Sequence, residues 1–378
     1  MKLHGWSGID NLKMIRLSKS CLGELEKKAV MEVLDKGFLG MGAEVQEFER
    51  ELTSFFGRPT VCVSSGTAAL HIALQAIGLS SGDEVLVQSL TYVASFQAIS
   101  ASGATPVACD ILTDTLCIDL EDAERKLTKN TKAIMPVHYS GGVGDLEKVY
   151  AFADKHNLRV VEDAAHALGT NYIGRKVGGF GDVVCFSFDG IKNITSGEGG
   201  CIVSDDQSLL KSLRDIRLLG VEKDTEKRYS GTRSWSFNVI EQGWRYHMSN
   251  IMAAIGIVQL SRIGEFKSNR QKICKKYVEE LGGINEVDFL DVDFDLIMPH
   301  IFVIKVQKRD ELKKHLISNN IECGVHYQPN HLLSKYASKN ALPKTEKIFG
   351  EILTLPCHSS LTFSEQDIVI NNIRKFYE

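Results

Sequence analysis

No stretch of the chain carries the ~20 consecutive apolar residues that a helix needs to cross a bilayer, and the opening MKLHGWSGIDNLKM lacks the apolar core of a secretory signal. A cytoplasmic protein with no membrane partner is the expectation. Basic residues are not in excess either. The 44 Lys+Arg against 48 Asp+Glu leave a net charge of −4, without the surplus of cations that neutralises a phosphate backbone, so nucleic acid is not an expected partner. Nine cysteines are scattered from Cys21 to Cys357 with no CxxC or CxxxC pair. That pattern suggests neither a disulfide framework nor a zinc cage and leaves the cysteines as small packing residues. Repeats, low-complexity tracts and long linkers are absent as well. What is present is 378 residues, 43% of them apolar, enough for two or three domains with large buried cores.

From about residue 60, short β-rich runs alternate with longer helical patterns, the rhythm of an α/β fold with a parallel, doubly wound sheet. Seven strands are expected: Thr60 to Val63, Glu84 to Val87, Thr105 to Cys109, Ala133 to Val137, Arg159 to Glu162, Val183 to Phe188 and Cys201 to Ser204. Two helices, Leu22 to Asp35 and Val45 to Phe56, precede them. A long helix from Ser249 through the charged segment Arg262 to Lys276 is expected next, then strand-like Ile301 to Val306, helical Arg309 to Asn319 and strand-like Glu322 to Tyr327. The change of pattern divides the chain into a large domain, residues 1–265, and a smaller C-terminal α+β domain, residues 266–378.

Chemistry concentrates at the carboxyl ends of the strands, where open α/β sheets bind their ligands. RVVEDAA, Arg159 to Ala165, delivers Glu162 and Asp163 there, although Asp163 suits the N-cap of a following helix equally well. The strand Val183 to Phe188 runs into a Gly-rich turn that holds Lys192. A lysine pressed against apolar surface loses its proton more easily, because desolvation penalises the ammonium, and the neutral amine can form a Schiff base with a carbonyl. After Val63, the run SSGTA places hydroxyls and Gly66 and Thr67 at a helix start, which serves either as an ordinary N-cap or as a phosphate cradle. Ser187 is a further phosphate ligand or a core serine. With Tyr92 just past another strand, these are the parts that pyridoxal 5′-phosphate requires: an amine, a carboxylate for the ring nitrogen, an anion site and an aromatic face.

The segments SSGTAALHIALQAIG, QSLTYVAS, VVEDAAHALGTNYIGRKVGGFGD, CFSFDGIKNITSGEGG and HMSNIMAAIGIVQL resemble the DegT/DnrJ/StrS family of sugar aminotransferases, and the resemblance continues through GVHYQPNHL and LPCHSSLT. It implies the type I aminotransferase fold, with a seven-stranded, mostly parallel sheet, and a homodimer whose active sites are shared. It implies that Lys192 carries the cofactor and that Asp163 pairs with its ring nitrogen. Tyr92 would stack on the ring, and His166 would lie near the ring hydroxyl. Gly66, Thr67 and Ser187 would take the phosphate, and His326, Tyr327 and His331 would line the sugar-nucleotide side. GWRYHMS departs from the family's G-x-N-Y-R pattern, with Arg245 in the asparagine position and His247 in the arginine position. Arg245 is therefore the candidate contact to the partner's cofactor phosphate. Some relatives use this fold for sugar dehydration and have histidine in place of the lysine; Lys192 is retained here, which favours transamination.

The expected reaction moves an amino group from L-glutamate to a nucleotide-linked keto-6-deoxy sugar. The resemblance favours C4 of dTDP-4-keto-6-deoxyglucose as acceptor, in the making of an O-antigen or similar surface glycan. Amination at C3 of a dTDP- or GDP-keto-sugar is the near alternative, and a non-catalytic cofactor-binding regulator a further one. Lys223, Lys227, Arg228 and Arg233 form a candidate clamp for the diphosphate, although a mixed-charge loop is more often simply a solvated one. A nicotinamide dehydrogenase is disfavoured because GGVGD, Gly141 to Asp145, lacks the G-x-G-x-x-G spacing. Metal is not expected, since HYxxxH, with its histidines five residues apart, has no helical ligand geometry. The leader before Met14 carries no reading.

Overall fold

A computed structural model describes residues 14–232, 236–338 and 340–378. The leader and Arg233 of the candidate clamp lie outside these described residues. The chain opens with α1 (Glu24–Lys36) and α2 (Ala43–Phe56), closed by Gly37 at φ 67° and Gly57 at φ 71°, left-handed positions that glycine adopts without strain. Next come β1 (Thr60–Val63), α3 (Gly66–Ala76), β2 (Glu84–Gln88), α4 (Val93–Ala101), β3 (Thr105–Cys109), α5 (Leu120–Arg125), β4 (Thr131–Met135), α6 (Leu146–His156) and β5 (Arg159–Asp163). A two-residue hairpin, β6 (Asn171–Tyr172) and β7 (Arg175–Lys176), precedes β8 (Val183–Ser187), β9 (Gly200–Val203), α7 (Gln207–Ile216) and α8 (Asp224–Tyr229).

Seven strands form one sheet in the order β1-β9-β8-β5-β4-β2-β3. Each expected strand is present to within two residues at either end. The sheet is mostly parallel, with one strand reversed: β9 runs antiparallel to both β1 and β8. The reason is the connection. The stretch from Phe188 to Gly199 contains no helix to carry the chain back across the sheet, so β9 returns alongside β8 as a broad hairpin. Both faces of the sheet are covered, and side chains alternate between them. Val61, Val63 and Cys185 pack with α3, α4 and α7 on one side. Cys62, Val184, Phe186 and Val203 pack with Phe48, Leu52 and Phe56 of α2 on the other. Phe48 and Leu52 are fully buried, each worth roughly 1.5–3 kcal/mol of transfer free energy.

The expected single helix after Ser249 is two, α9 (Asn250–Ser261) and α10 (Ile263–Leu281), broken at Arg262. Arg262 leaves the helical path with φ −99° and ψ 3°, and its guanidinium reaches Glu26 of α1 at 2.8 Å. Beyond lie β10 (Val287–Phe289), β11 (Phe302–Val306), α11 (Arg309–Ser318), α12 (Pro343–Glu351), β12 (Ile352–Leu355) and α13 (Phe363–Tyr377). The three strands form an antiparallel sheet that packs with α10, α11 and α13 around Ile273, Tyr277, Phe302, Leu312 and Val369. Ile15 joins this core and pairs with Ile321. The segment Glu322 to Tyr327, expected as a strand, is irregular. It touches β12 only through the Gly324–Thr354 pair and then turns towards the carboxyl edge of the large sheet.

Candidate active site

The carboxyl ends of β1, β2, β5 and β8 and the irregular segment before Tyr327 enclose a cavity of about 510 Å³. Gly66, Thr67, Tyr92, Asp163, His166, Ser187, Lys192, His326 and Tyr327 all line it. His331 and Arg245 do not. A larger open groove of about 910 Å³, between Lys126 and Tyr336 beside edge strand β3, brings together none of the expected site residues.

Two close approaches build the anion end. Ser65 caps α3, its hydroxyl accepting from the Ala68 amide at 3.1 Å, which leaves the other first-turn amides of the helix open. A Cβ on Gly66 would stand 2.7 Å from the Ser187 Cβ, so the missing side chain is what lets the end of β8 lie against the helix start. Gly200 is constrained in the same way, since a Cβ there would meet the carbonyl oxygens of Ser65 and Phe186 at 2.6 and 2.7 Å. Bare amides, a helix N-terminus and the Ser187 hydroxyl thus converge at one end of the cavity, a setting suited to phosphate.

Asp163 ends β5. Its carboxylate accepts from the Ser95 hydroxyl at 2.7 Å and from the Ala165 amide at 3.2 Å. The alternative of a helix cap falls away, because the chain after Asp163 makes turns and reaches β6 without forming a helix. Lys192 sits in the turn after β8, its amide bonded to the Asp189 carbonyl at 3.0 Å. Its side chain lines the cavity, and burial brings its pKa down to about 8, against the opposing pull of Asp163 and Asp189.

The opposite wall is a group of neutral imidazoles. His166 accepts from the Ser140 amide at Nδ1, 3.3 Å, which puts its proton on Nε2, 3.1 Å from the Tyr327 hydroxyl. Burial, reinforced by the charge of Lys192, holds His166 well below the usual imidazole range. His326 bonds Thr354 through Nδ1 at 2.8 Å and is brought down to about 4, again chiefly by burial. The Tyr327 phenol is raised by burial and by Asp163. Its ring lies 5.5 Å from that of Tyr92, which is 58% exposed at the cavity mouth.

His331 is held elsewhere: Ser89 lies 2.7 Å from its Nδ1 and Glu346 3.3 Å from its Nε2, so it braces the start of α12 and does not line the sugar side expected of it. Arg245 is exposed on a segment paired with Leu218. Lys223, Lys227 and Arg228 belong to α8 and its start, outside the cavity, with Arg228 held by Asp224 at 2.7 Å. Among the described residues no cluster of side chains could hold a metal ion. Sequence reasoning missed Ser95, Asp189 and His300. Ser95 and Asp189 lay within segments already singled out, TYVAS and SFDGIK, whereas His300 stands in no motif.

The residues fit pyridoxal phosphate. A buried amine of lowered pKa, a hydrogen-bonded carboxylate and an anion cradle that a single added Cβ would close share one cavity. Residues 20–374 match the model of the DegT/DnrJ/EryC1/StrS aminotransferase family. Among solved structures, the chain is similar to the aminotransferase TlmJ from Streptoalloteichus hindustanus, with 31% identity over 96% of this chain and 98% of that one and a TM-score of 0.89. It is similar also to the putative sugar aminotransferase Spr1654 from Streptococcus pneumoniae in its PMP-form, with 30% identity, 96% and 97% coverage and a TM-score of 0.89. Helicobacter pylori PseC, an aminotransferase involved in pseudoaminic acid biosynthesis, matches with 27% identity, 97% and 99% coverage and a TM-score of 0.88. With the match spanning nearly all of its length, the chain belongs to the DegT/DnrJ/EryC1/StrS aminotransferase family.

Proposed function

We propose that this protein is a pyridoxal-phosphate-dependent sugar aminotransferase that moves the amino group of L-glutamate to a nucleotide-linked keto-6-deoxy sugar. The acceptor carbon is C4 of dTDP-4-keto-6-deoxyglucose, and the product serves surface polysaccharide of the O-antigen kind. The observation that carries this reading is the meeting of Lys192, a buried amine whose pKa burial brings down to about 8, with Asp163 and the Gly66–Ser187 cradle around one cavity.

When bound, the cofactor supplies an aldehyde carbon to carry the amino group and a ring to accept an electron pair. This chain's residues do the rest. Lys192 Nζ would anchor the cofactor covalently. With the donor in place, the free Nζ would take the proton from the donor's α-carbon, and in the second half-reaction it would give one to the sugar carbon that receives nitrogen. Asp163, fixed by Ser95 and the Ala165 amide, keeps the ring nitrogen protonated. Gly66, Thr67 and Ser187 hold the phosphate, and Tyr92 offers an aromatic face. His166 serves the ring hydroxyl, while His326 and Tyr327 wall the sugar side.

The working unit is a cytoplasmic homodimer. Supporting this, Arg245 points no charge into its own cavity, and the stretch leading to it exposes Phe237, Val239 and Ile240 at 52–61%. Arg245 reaches the phosphate in the partner's site. The test is spectroscopic: protein loaded with pyridoxal phosphate shows a visible band that L-glutamate bleaches and a dTDP-linked 4-keto-6-deoxy sugar restores. A colourless protein that refuses the cofactor overturns the reading.

A further inference from the structure

The third wall of the Lys192 site is a side chain that no sequence motif marked. His300 precedes β11 and is 3% exposed, and its Nε2 lies 3.5 Å from Lys192 Nζ, at the outer limit of hydrogen-bonding range. Contacts of this kind are commonly long before a ligand tightens the site. The residue is anchored on three sides. Its amide donates to the Ser140 carbonyl at 3.1 Å, its carbonyl accepts from Arg270 Nη1 at 2.9 Å, and its ring packs against that of His166 with centroids 4.3 Å apart. Arg270 is itself buried and ties the same corner to the carbonyls of Pro299 and Cys357.

The other ring nitrogen decides the tautomer. Nδ1 of His300 is buried with no hydrogen-bond partner among the described residues. A proton there would be a donor sealed away from any acceptor, a costlier arrangement than a bare lone pair, so the proton belongs on Nε2, facing the lysine. Burial and the neighbouring Lys192 charge keep the ring neutral.

We infer that His300 is a positioning residue for the Lys192 amine: its Nε2–H donates to the nitrogen lone pair and holds the freed amine at one place in the cavity between the two half-reactions. This rests on Lys192 being the working amine. The other groups facing Nζ are the carboxylates of Asp163 and Asp189, with the His166 and His326 imidazoles close enough to feel its charge. The two carboxylates favour the charged amine, and His300, its Nε2 within 3.5 Å of Nζ, is placed to donate to it when neutral.

Two isosteric substitutions separate this role from mere packing. Glutamine places an amide N–H near the position of Nε2, whereas asparagine reaches only the position of Nδ1. Both are polar and of similar size. The readout is the pH midpoint of Lys192 acetylation in cofactor-free protein, measured by peptide mass spectrometry. His300→Asn is expected to move the midpoint up by about half to one pH unit, the worth of one lost hydrogen bond to the free amine. His300→Gln is expected to stay within a few tenths of the parent, and in the loaded enzyme His300→Asn lowers kcat with little change in KM for the donor. Equal midpoints for parent and His300→Asn, or a glutamine variant no better than asparagine, overturn the positioning role. A parent Lys192 that labels like a surface lysine instead overturns the reading of the amine on which the inference stands.

Discussion

In cofactor-free protein the amine of Lys192 should shed its proton well before an ordinary lysine does. An unperturbed lysine titrates near 10.5 and is about 0.3% free base at pH 8, whereas one brought down to about 8 is about half free base, a ratio of ~160. The cause is burial, and the two carboxylates beside the amine, Asp163 and Asp189, work against it. The sign of a second perturbation follows: Asp163→Asn removes a charge that favours the ammonium and should move the midpoint lower still. Because the folded-state value lies below that of the unfolded chain, the unfolded state binds more protons between about pH 8 and 10.5. The lysine's destabilising contribution is therefore largest below pH 8 and is relieved as pH rises through that window. Competitive acetylation across pH 6 to 11, with Lys192 compared against exposed Lys132 in the same digest, reads this directly. Parallel labelling of the two lysines at every pH would refute the argument, as would an Asp163→Asn midpoint that moves upward.

Four further outcomes are expected. Lys192→Ala, and equally Lys192→Arg, whose guanidinium stays charged, should abolish turnover and leave no borohydride-trappable cofactor on residue 192 by mass spectrometry. Gly66→Ala should weaken cofactor binding about tenfold or more in a fluorescence titration while the fold persists, since the new Cβ meets Ser187 at 2.7 Å in the phosphate cradle. Mixing inactive Lys192→Ala and Arg245→Ala subunits should recover about a quarter of parental activity, because half of random dimers carry one site with both residues intact; no recovery would count against a shared site. Finally, Arg217 is fully buried and gives Nη1 to Glu49 and to the Cys62 carbonyl, so Arg217→Ala should cost about 3–5 kcal/mol in urea denaturation by stranding the Glu49 carboxylate.

The large sheet was legible because its strands are buried on both faces. TVCV, VVCF and their neighbours leave few ways to be anything but central strands, and Gly, Ser or Asp marks their ends. The reversal of β9 was not, since apolar content carries no direction and only the absence of a helix between Phe188 and Gly200 encodes it. The break at Arg262 was hidden for a related reason: the helical pattern continues on either side, and the ion pair with Glu26 that holds the turn joins residues far apart in sequence. Glu322 to Tyr327 read as a strand from its composition, yet it makes one pairing and spends its remaining length delivering His326 and Tyr327 to the cavity. In the site, residues at strand ends announced themselves through motifs. His331 shared a motif with Tyr327 but a one-turn helix carries it to Ser89, and His300 arrives from the smaller sheet with no local signature at all.

Transfer of nitrogen to a sugar carbon through Lys192 is most directly followed with ¹⁵N-labelled L-glutamate, pyridoxal phosphate and dTDP-4-keto-6-deoxyglucose, with products resolved by NMR. The expected result is ¹⁵N bonded to C4 of the sugar with parent protein and none with Lys192→Ala. Label at C3 would move the acceptor position, and an unlabelled sugar across a panel of nucleotide keto-sugars, or a Lys192→Ala protein that still transfers nitrogen, would contradict the account.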